Sequence, residues 1–105
     1  MKPDNVNIIG INYKITYVDN PVDVDIHRRE ALFGQIDYWT RTIRIYDPGT
    51  RPPEDIFETI IHEVLHGIGN ALNLGINSED NHEVLDVLAL ALTDTLVRNK
   101  WVELK

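Results

Sequence analysis

The stretch IIHEVLHGIGN, residues 60–70, places two histidines and a carboxylate among aliphatic residues. His62 and His66 are four residues apart, so on a helix their side chains lie one above the other on the same face. Two imidazoles presented to one point suit a zinc ion, which binds each nitrogen at about 2.0–2.1 Å. Glu63 is rotated by about 100° around the helix, where its carboxylate can take a proton from a zinc-bound water. The pattern predicts a metal site with His62 and His66 as ligands and Glu63 as the catalytic base.

The alternative is that these three polar residues have ordinary partners in the core or on the surface. It is less favoured, because unpaired histidines and a glutamate among Ile, Val and Leu cost desolvation energy. A catalytic zinc usually has three protein ligands and one open position, so a third ligand must come from elsewhere. The pattern H-E-x-x-H-x-x-G-x-x-H is not completed here, because Leu72 stands where its last histidine would be.

The downstream stretch SEDNHEVLDVLALAL offers four other candidates for the third ligand: Glu79, His82, Glu83 and Asp86. Helical phase favours His82, which shares a narrow stripe with Asp86 on a mostly apolar helix. Asp86 would then hold a ligand histidine by a hydrogen bond from outside the coordination sphere. Glu83 lies on another side of that helix, where a solvated acid is expected, and it stays the alternative third ligand.

The elements that must position these residues follow from hydrophobic periodicity. Apolar and polar residues alternate over residues 7–18, which predicts one half-buried strand. Residues 32–38 and Thr42–Tyr46 predict a hairpin. One helix begins near Pro52 and carries the H-E-x-x-H pattern, and a second runs over residues 78–99. These elements predict an α+β fold, a small antiparallel or mixed sheet packed on two helices, with the site between the helices.

Composition narrows the class of protein. The 105 residues predict one domain, residues 1–105. A net charge of −7 argues against nucleic acid as a partner. The chain has no cysteine, so a metal must be held by His, Asp or Glu. Without an apolar signal-peptide segment or a membrane-length apolar run, we expect a cytoplasmic protein with no membrane partner. Composition does not indicate an oligomeric state.

Residues 33–105 resemble the minimal phage- and bacterium-borne zinc peptidase domains related to the ImmA/IrrE group. The likeness lies in FGQIDYWTRTIRI, ETIIHEVLHGI and HEVLDVLALAL. It implies a zincin-like fold, a bound Zn²⁺ and hydrolysis of peptide bonds in a peptide or protein substrate. The third ligand of the family is typically Glu; its place falls on His82 here, with Asp86 four residues later. The substrate would pair along Thr42–Tyr46, if that segment is an exposed edge and not an ordinary sheet strand.

Two other classes of protein remain open. One is a non-catalytic zinc-binding module of phage or prophage origin that regulates or binds a partner protein; a closed site with both His82 and Glu83 bound would favour it. The other is a structural protein with a vestigial site. Tyr38 and Trp39 are expected mainly to pack at the hairpin tip, although a tyrosine hydroxyl near the metal can bind an oxyanion.

Overall fold

A computed structural model of the chain describes residues 2–76 and 82–104, and at His82 it describes the backbone alone. The elements in chain order are β1 (Asn5–Ile8), β2 (Ile11–Val18), β3 (Gly34–Asp37), β4 (Thr42–Tyr46), α1 (Pro53–Leu72) and α2 (His82–Arg98), with a short 3-10 turn at Pro21–Asp23. The predicted α+β class, with a mixed sheet and two helices, is confirmed. The predicted start of the second helix near Ser78 lies outside the described residues.

The strands β1 and β2 form an antiparallel hairpin where the sequence predicts one strand over residues 7–18. The chain reverses at Ile9 and Gly10, whose φ angles are 50° and 84°. Two consecutive positive φ angles are typical of the two-residue type I′ turn. The reversal buries Ile8 and leaves Ile9 58% exposed. The single-strand prediction is therefore wrong, because the alternation in the sequence continues across a turn.

The strand order in the sheet is β1-β2-β4-β3, with β4 parallel to β2 and antiparallel to β3. The predicted β3–β4 hairpin is confirmed. However, Thr42–Tyr46 lies inside the sheet, where neighbours on both sides pair its backbone groups. Of the two alternatives for this segment, an exposed edge or an ordinary sheet strand, the structure has the ordinary sheet strand. In the described part of the chain the two edge strands of the sheet are β1 and β3, and α1 contacts both.

The helix α1 packs across one face of the sheet and buries the side chains that alternate toward it. The core consists of Ile8, Tyr13, Ile15, Ile43, Ile45 and Ile60. Burying each aliphatic side chain of this kind contributes roughly 1.5–3 kcal/mol. The helix can approach the sheet closely at Gly67, because a Cβ atom there would lie 2.7 Å from Ile8 Cδ1. The same Cβ atom would lie 3.2 Å from Cδ1 of Ile36, so α1 also packs closely against β3 at this position.

The second helix, α2, packs against α1 through a buried stripe of Leu85, Ala89 and Thr93. Aliphatic residues around the rest of this helix stay exposed to solvent: Val84, Val87, Leu88, Leu90 and Leu92. The packing places the start of α2 next to the middle of α1, where it can contribute to a site. Among the described residues, neither helix combines the length and apolarity needed to cross a membrane.

Candidate metal centre

Four side chains of α1, spaced four residues apart, line one cavity: Glu58, His62, His66 and Asn70. Residues four apart are neighbours on a helix surface, so the local helix alone brings these groups to one side. The rings of His62 and His66 have centroids 4.9 Å apart and planes inclined by 76°. The predicted pairing of the two imidazoles is thus present in the fold.

Glu63 lies beside this pair and is 4% exposed. Its Oε2 atom is 3.0 Å from Nδ1 of His62. One ligand atom from each of His62, Glu63 and His66 lies within 4.8 Å of the others. Imidazole and carboxylate are both common metal ligands, so this group of side chains could hold one metal ion.

His62 connects the two helices through its second ring nitrogen. Nε2 of His62 lies 2.7 Å from Oδ1 of Asp86, which is 24 residues later on α2. Burial of the ring opposes its charged form, but hydrogen bonds and negative charge from Glu63 and Asp86 outweigh this and raise the pKa of His62 above its ordinary value. The expected contact between Asp86 and a candidate ligand histidine is therefore present, and two carboxylates share one imidazole.

Asp86 is the one of the four candidates for a third ligand that the described residues place in the cavity. Glu83 is exposed and does not line it. His82 is the first residue of α2, but its side chain lies outside the described part of the chain, as does the whole of Glu79. The backbone places His82 one helical turn before Asp86 on α2.

The cavity between α1 and the edge of the sheet has a volume of about 770 Å³. Its floor includes three consecutive residues of β3, and its wall includes the side chains of Leu32, Phe33 and Tyr38. The Tyr38 hydroxyl donates a 3.2 Å hydrogen bond to the backbone oxygen of His66, which brings a phenol close to the histidine pair. Trp39 is 96% exposed and does not line the cavity, so the expected packing of this residue is not seen.

The backbone of β3 turns some of its polar groups toward this cavity. The oxygen of Phe33 accepts a 2.8 Å hydrogen bond from the N–H of Tyr46 on the neighbouring strand. Because backbone groups of successive residues in a strand point to opposite sides, the N–H and C=O groups of Gly34 and Ile36 point away from β4. The cavity is therefore bordered by a strand edge with backbone donors and acceptors.

Sequence reasoning missed three of the cavity's polar residues on α1: Glu58, Thr59 and Asn70. Glu58 precedes His62 by four residues, and Asn70 follows His66 by four, so extending the histidine spacing in both directions would have found them. Gly34 was also missed as a site residue. It carries no such signal, because its position next to Glu63 depends on how the sheet meets α1.

Comparisons with protein-family models, with curated proteins and with solved structures give no match for this chain. The resemblance to ImmA/IrrE-related zinc peptidases therefore remains a prediction from the residues that carry it. A function has to be argued from the site itself: its side chains, their geometry and the cavity that they line.

Proposed function

We propose that this chain is a zinc-dependent peptidase whose active site is the cavity between α1 and β3. The observation that carries the proposal is the grouping of His62, Glu63 and His66, with ligand atoms within 4.8 Å of one another, in the wall of a cavity of about 770 Å³. His62 and His66 would hold the zinc ion, with His82 as the third ligand. Asp86 would orient the His62 ring.

Glu63 is the proposed general base. A bound zinc ion supplies Lewis acidity, which polarises the scissile carbonyl and lowers the pKa of a water molecule to roughly 7. Glu63 accepts the proton of the attacking water and delivers it to the amine of the leaving fragment. Burial holds this carboxylate at the cavity wall. With Asp86 on Nε2 of His62, a metal ion would bind Nδ1 and would replace the 3.0 Å contact between that atom and Glu63, which would free the carboxylate for the proton.

The proposed substrate is an extended peptide that pairs with β3. The outward backbone groups of Gly34 and Ile36 border the cavity, and an added strand satisfies such groups by main-chain hydrogen bonds. This mode of binding does not depend on the substrate's side chains, so it suits a peptidase that binds its substrate through main-chain hydrogen bonds. Methylating the substrate amide nitrogen that pairs with β3 is expected to weaken binding, while methylation at the next residue is not.

The test combines zinc content with hydrolysis of a mixed peptide library, read by mass spectrometry. We expect wild type to bind one zinc per chain and to cut peptides. Glu63→Gln keeps the size of the side chain, so it should retain zinc and lose roughly 10²–10⁴-fold in rate. His66→Ala should lose both zinc and hydrolysis. A zinc-loaded wild type that cuts no peptide, or a Glu63→Gln variant with full activity, would contradict the proposal.

A second candidate function is a non-catalytic zinc-binding module that engages a partner protein. It is favoured by the aliphatic side of α2, where Val87 is 63% exposed and Leu90 is 58% exposed. Contiguous apolar surface of this kind often marks a site of protein interaction. The comparison of wild type with Glu63→Gln separates the two candidate functions, because a binding module does not hydrolyse peptides in either form. Substituting Val87 and Leu90 by Gln should affect partner binding and leave hydrolysis unchanged.

A further inference from the structure

Glu58 is an acid in the cavity that the proposed reaction does not use. It lies on α1 one turn before His62, half-buried, and lines the same cavity. Within residues 2–76 and 82–104, its carboxylate makes no hydrogen bond or ion pair. A carboxylate without a partner in a cavity can accept a charge-assisted hydrogen bond from a cationic group that arrives from outside.

The charges around Glu58 favour a cation in this position. Three of the described side chains that line the cavity are acids, Glu58, Glu63 and Asp86, and none is Lys or Arg. The nearby guanidinium of Arg51 bonds to neutral oxygens instead, at 2.7 Å to the backbone oxygen of Tyr46 and 2.9 Å to Oγ1 of Thr59. The net charge of −7 adds a long-range attraction for positive ligands.

The distance between Glu58 and the metal site suits a substrate residue near the cleaved bond. One helical turn from Glu58 to His62 spans about 6 Å along α1, which is roughly two residues of an extended peptide. A peptide along β3 with its reacting carbonyl near His62 and His66 therefore places a side chain within two residues of that carbonyl close to Glu58. A positively charged group there gains both a charge-assisted hydrogen bond and the attraction between opposite charges, whereas a neutral donor gains the hydrogen bond alone.

We infer that Glu58 is a specificity-determining residue, which selects peptides carrying a positive charge within two residues of the scissile bond. This inference rests on the proposed peptidase function and names its substrate class. The charge comes from a Lys or Arg side chain or from the α-amino group of the peptide. Both sources present an ammonium-type or guanidinium cation to the same carboxylate, and the experiment distinguishes them.

The test measures peptide binding by fluorescence anisotropy with zinc-loaded Glu63→Gln protein, so that the probes are not consumed. The probes are two N-acetylated octapeptides that differ by Lys or norleucine at the fourth position, and the norleucine peptide with a free α-amino group. We expect the Lys probe, or the free-amino probe, to bind roughly 10-fold or more tightly than the acetylated norleucine probe. Adding Glu58→Gln should remove this difference.

The matched control is Asp19→Asn, which makes the same change in net charge at an exposed position away from the cavity. It should leave the preference for the cationic probe intact. If the preference came only from the net charge of the protein, Asp19→Asn would reduce it as much as Glu58→Gln does. In the library digest, wild type should enrich Lys or Arg, or free amino termini, within two residues of the cut. Glu58→Lys should shift that enrichment toward Asp and Glu.

The outcomes separate the inference from the function on which it rests. Hydrolysis without any cation preference overturns the role of Glu58 and leaves the peptidase intact. Cation-dependent binding that Glu58→Gln removes, in a protein that cuts nothing, overturns the peptidase and keeps Glu58 as a binding residue. Equal binding of all three probes to the zinc-loaded protein overturns the inference directly.

Discussion

Gly34 on β3 lies directly over Glu63 on α1, so that a Cβ atom added to Gly34 would be 3.0 Å from Oε2 of Glu63. The same atom would be 2.7 Å from Cγ2 of Thr59, which is closer than such contacts normally become. The absence of a side chain at Gly34 therefore allows the edge strand and the proposed catalytic base to share one wall of the cavity.

The variant Gly34→Ala is expected to displace Glu63 and Thr59. Overpacking of this kind costs about 1–3 kcal/mol in the free energy of unfolding, and misplacing a catalytic group lowers kcat by roughly 10-fold or more. Urea denaturation and the rate of peptide hydrolysis measure the two effects. Thr59→Ser removes the nearest methyl group, so the double variant should recover much of the stability. Wild-type stability and rate in Gly34→Ala would contradict this account of the contact.

Zinc is expected to stabilise the folded chain, because the histidine pair is assembled by α1 only after folding. At a free concentration 100-fold above its dissociation constant, a ligand of the native state adds about 2.7 kcal/mol, which for a domain of this size raises Tm by roughly 10 °C. Differential scanning calorimetry with zinc and with a chelator measures the shift. In His66→Ala, zinc should raise Tm only slightly. A rise in Tm as large as that of wild type would mean that zinc binds elsewhere in the protein.

We expect low pH to destabilise the loop that precedes β3, because the carboxylate of Asp25 is then protonated. Its carboxylate accepts hydrogen bonds from the backbone N–H of His27 at 3.0 Å and of Arg29 at 3.2 Å, and from the Gln35 amide at 3.3 Å. The bond from His27 contributes most to holding the pKa of Asp25 below its ordinary value, against the opposing effect of burial. The stabilisation is therefore present above the ordinary carboxyl pKa, about 3.9, and is lost as pH falls through the lowered value.

Asp25→Asn should accordingly unfold at a lower urea concentration than wild type at pH 7. The difference between the two proteins should shrink as the pH is lowered below about 4, since wild type then loses the same charge. The exposed residue Asp19 supplies the control, because Asp19→Asn should differ little from wild type across this range. A difference between Asp25→Asn and wild type that stays constant down to pH 2 would refute the assignment.

Ile9 is expected to be a point of strain in the β1–β2 turn. It is β-branched, has a φ angle of 50° and is 58% exposed, so it gives up favourable backbone geometry while burying little surface. Ile9→Asn keeps the turn and suits its positive φ, and should stabilise the protein by roughly 1 kcal/mol. Ile9→Val keeps the β-branch and should gain nothing. Equal urea midpoints for these two variants would argue against strain at this position.

Part of the site could be predicted from the sequence, because it depends on contacts within one helix. His62, Glu63 and His66 lie within five consecutive residues of α1, and a repeat of 3.6 residues per turn determines which of them share a face. The β3–β4 hairpin is also local, since its two strands are joined by a short connection. The break at Ile9 and Gly10 is local too, but it was missed because the alternation of apolar residues does not change there.

The amino-acid sequence by itself determined the H-E-x-x-H helix, the hairpin that follows residue 33 and the α+β class, all of which follow from periodicity and short-range geometry. The tertiary structure alone decided that β4 lies inside the sheet and β3 at its edge, because the parallel pairing of β2 with β4 joins distant segments. It also decided that His62 is the histidine that Asp86 contacts, and that Gly34 contacts Glu63. These contacts depend on how whole elements pack, and no spacing along the chain specifies them.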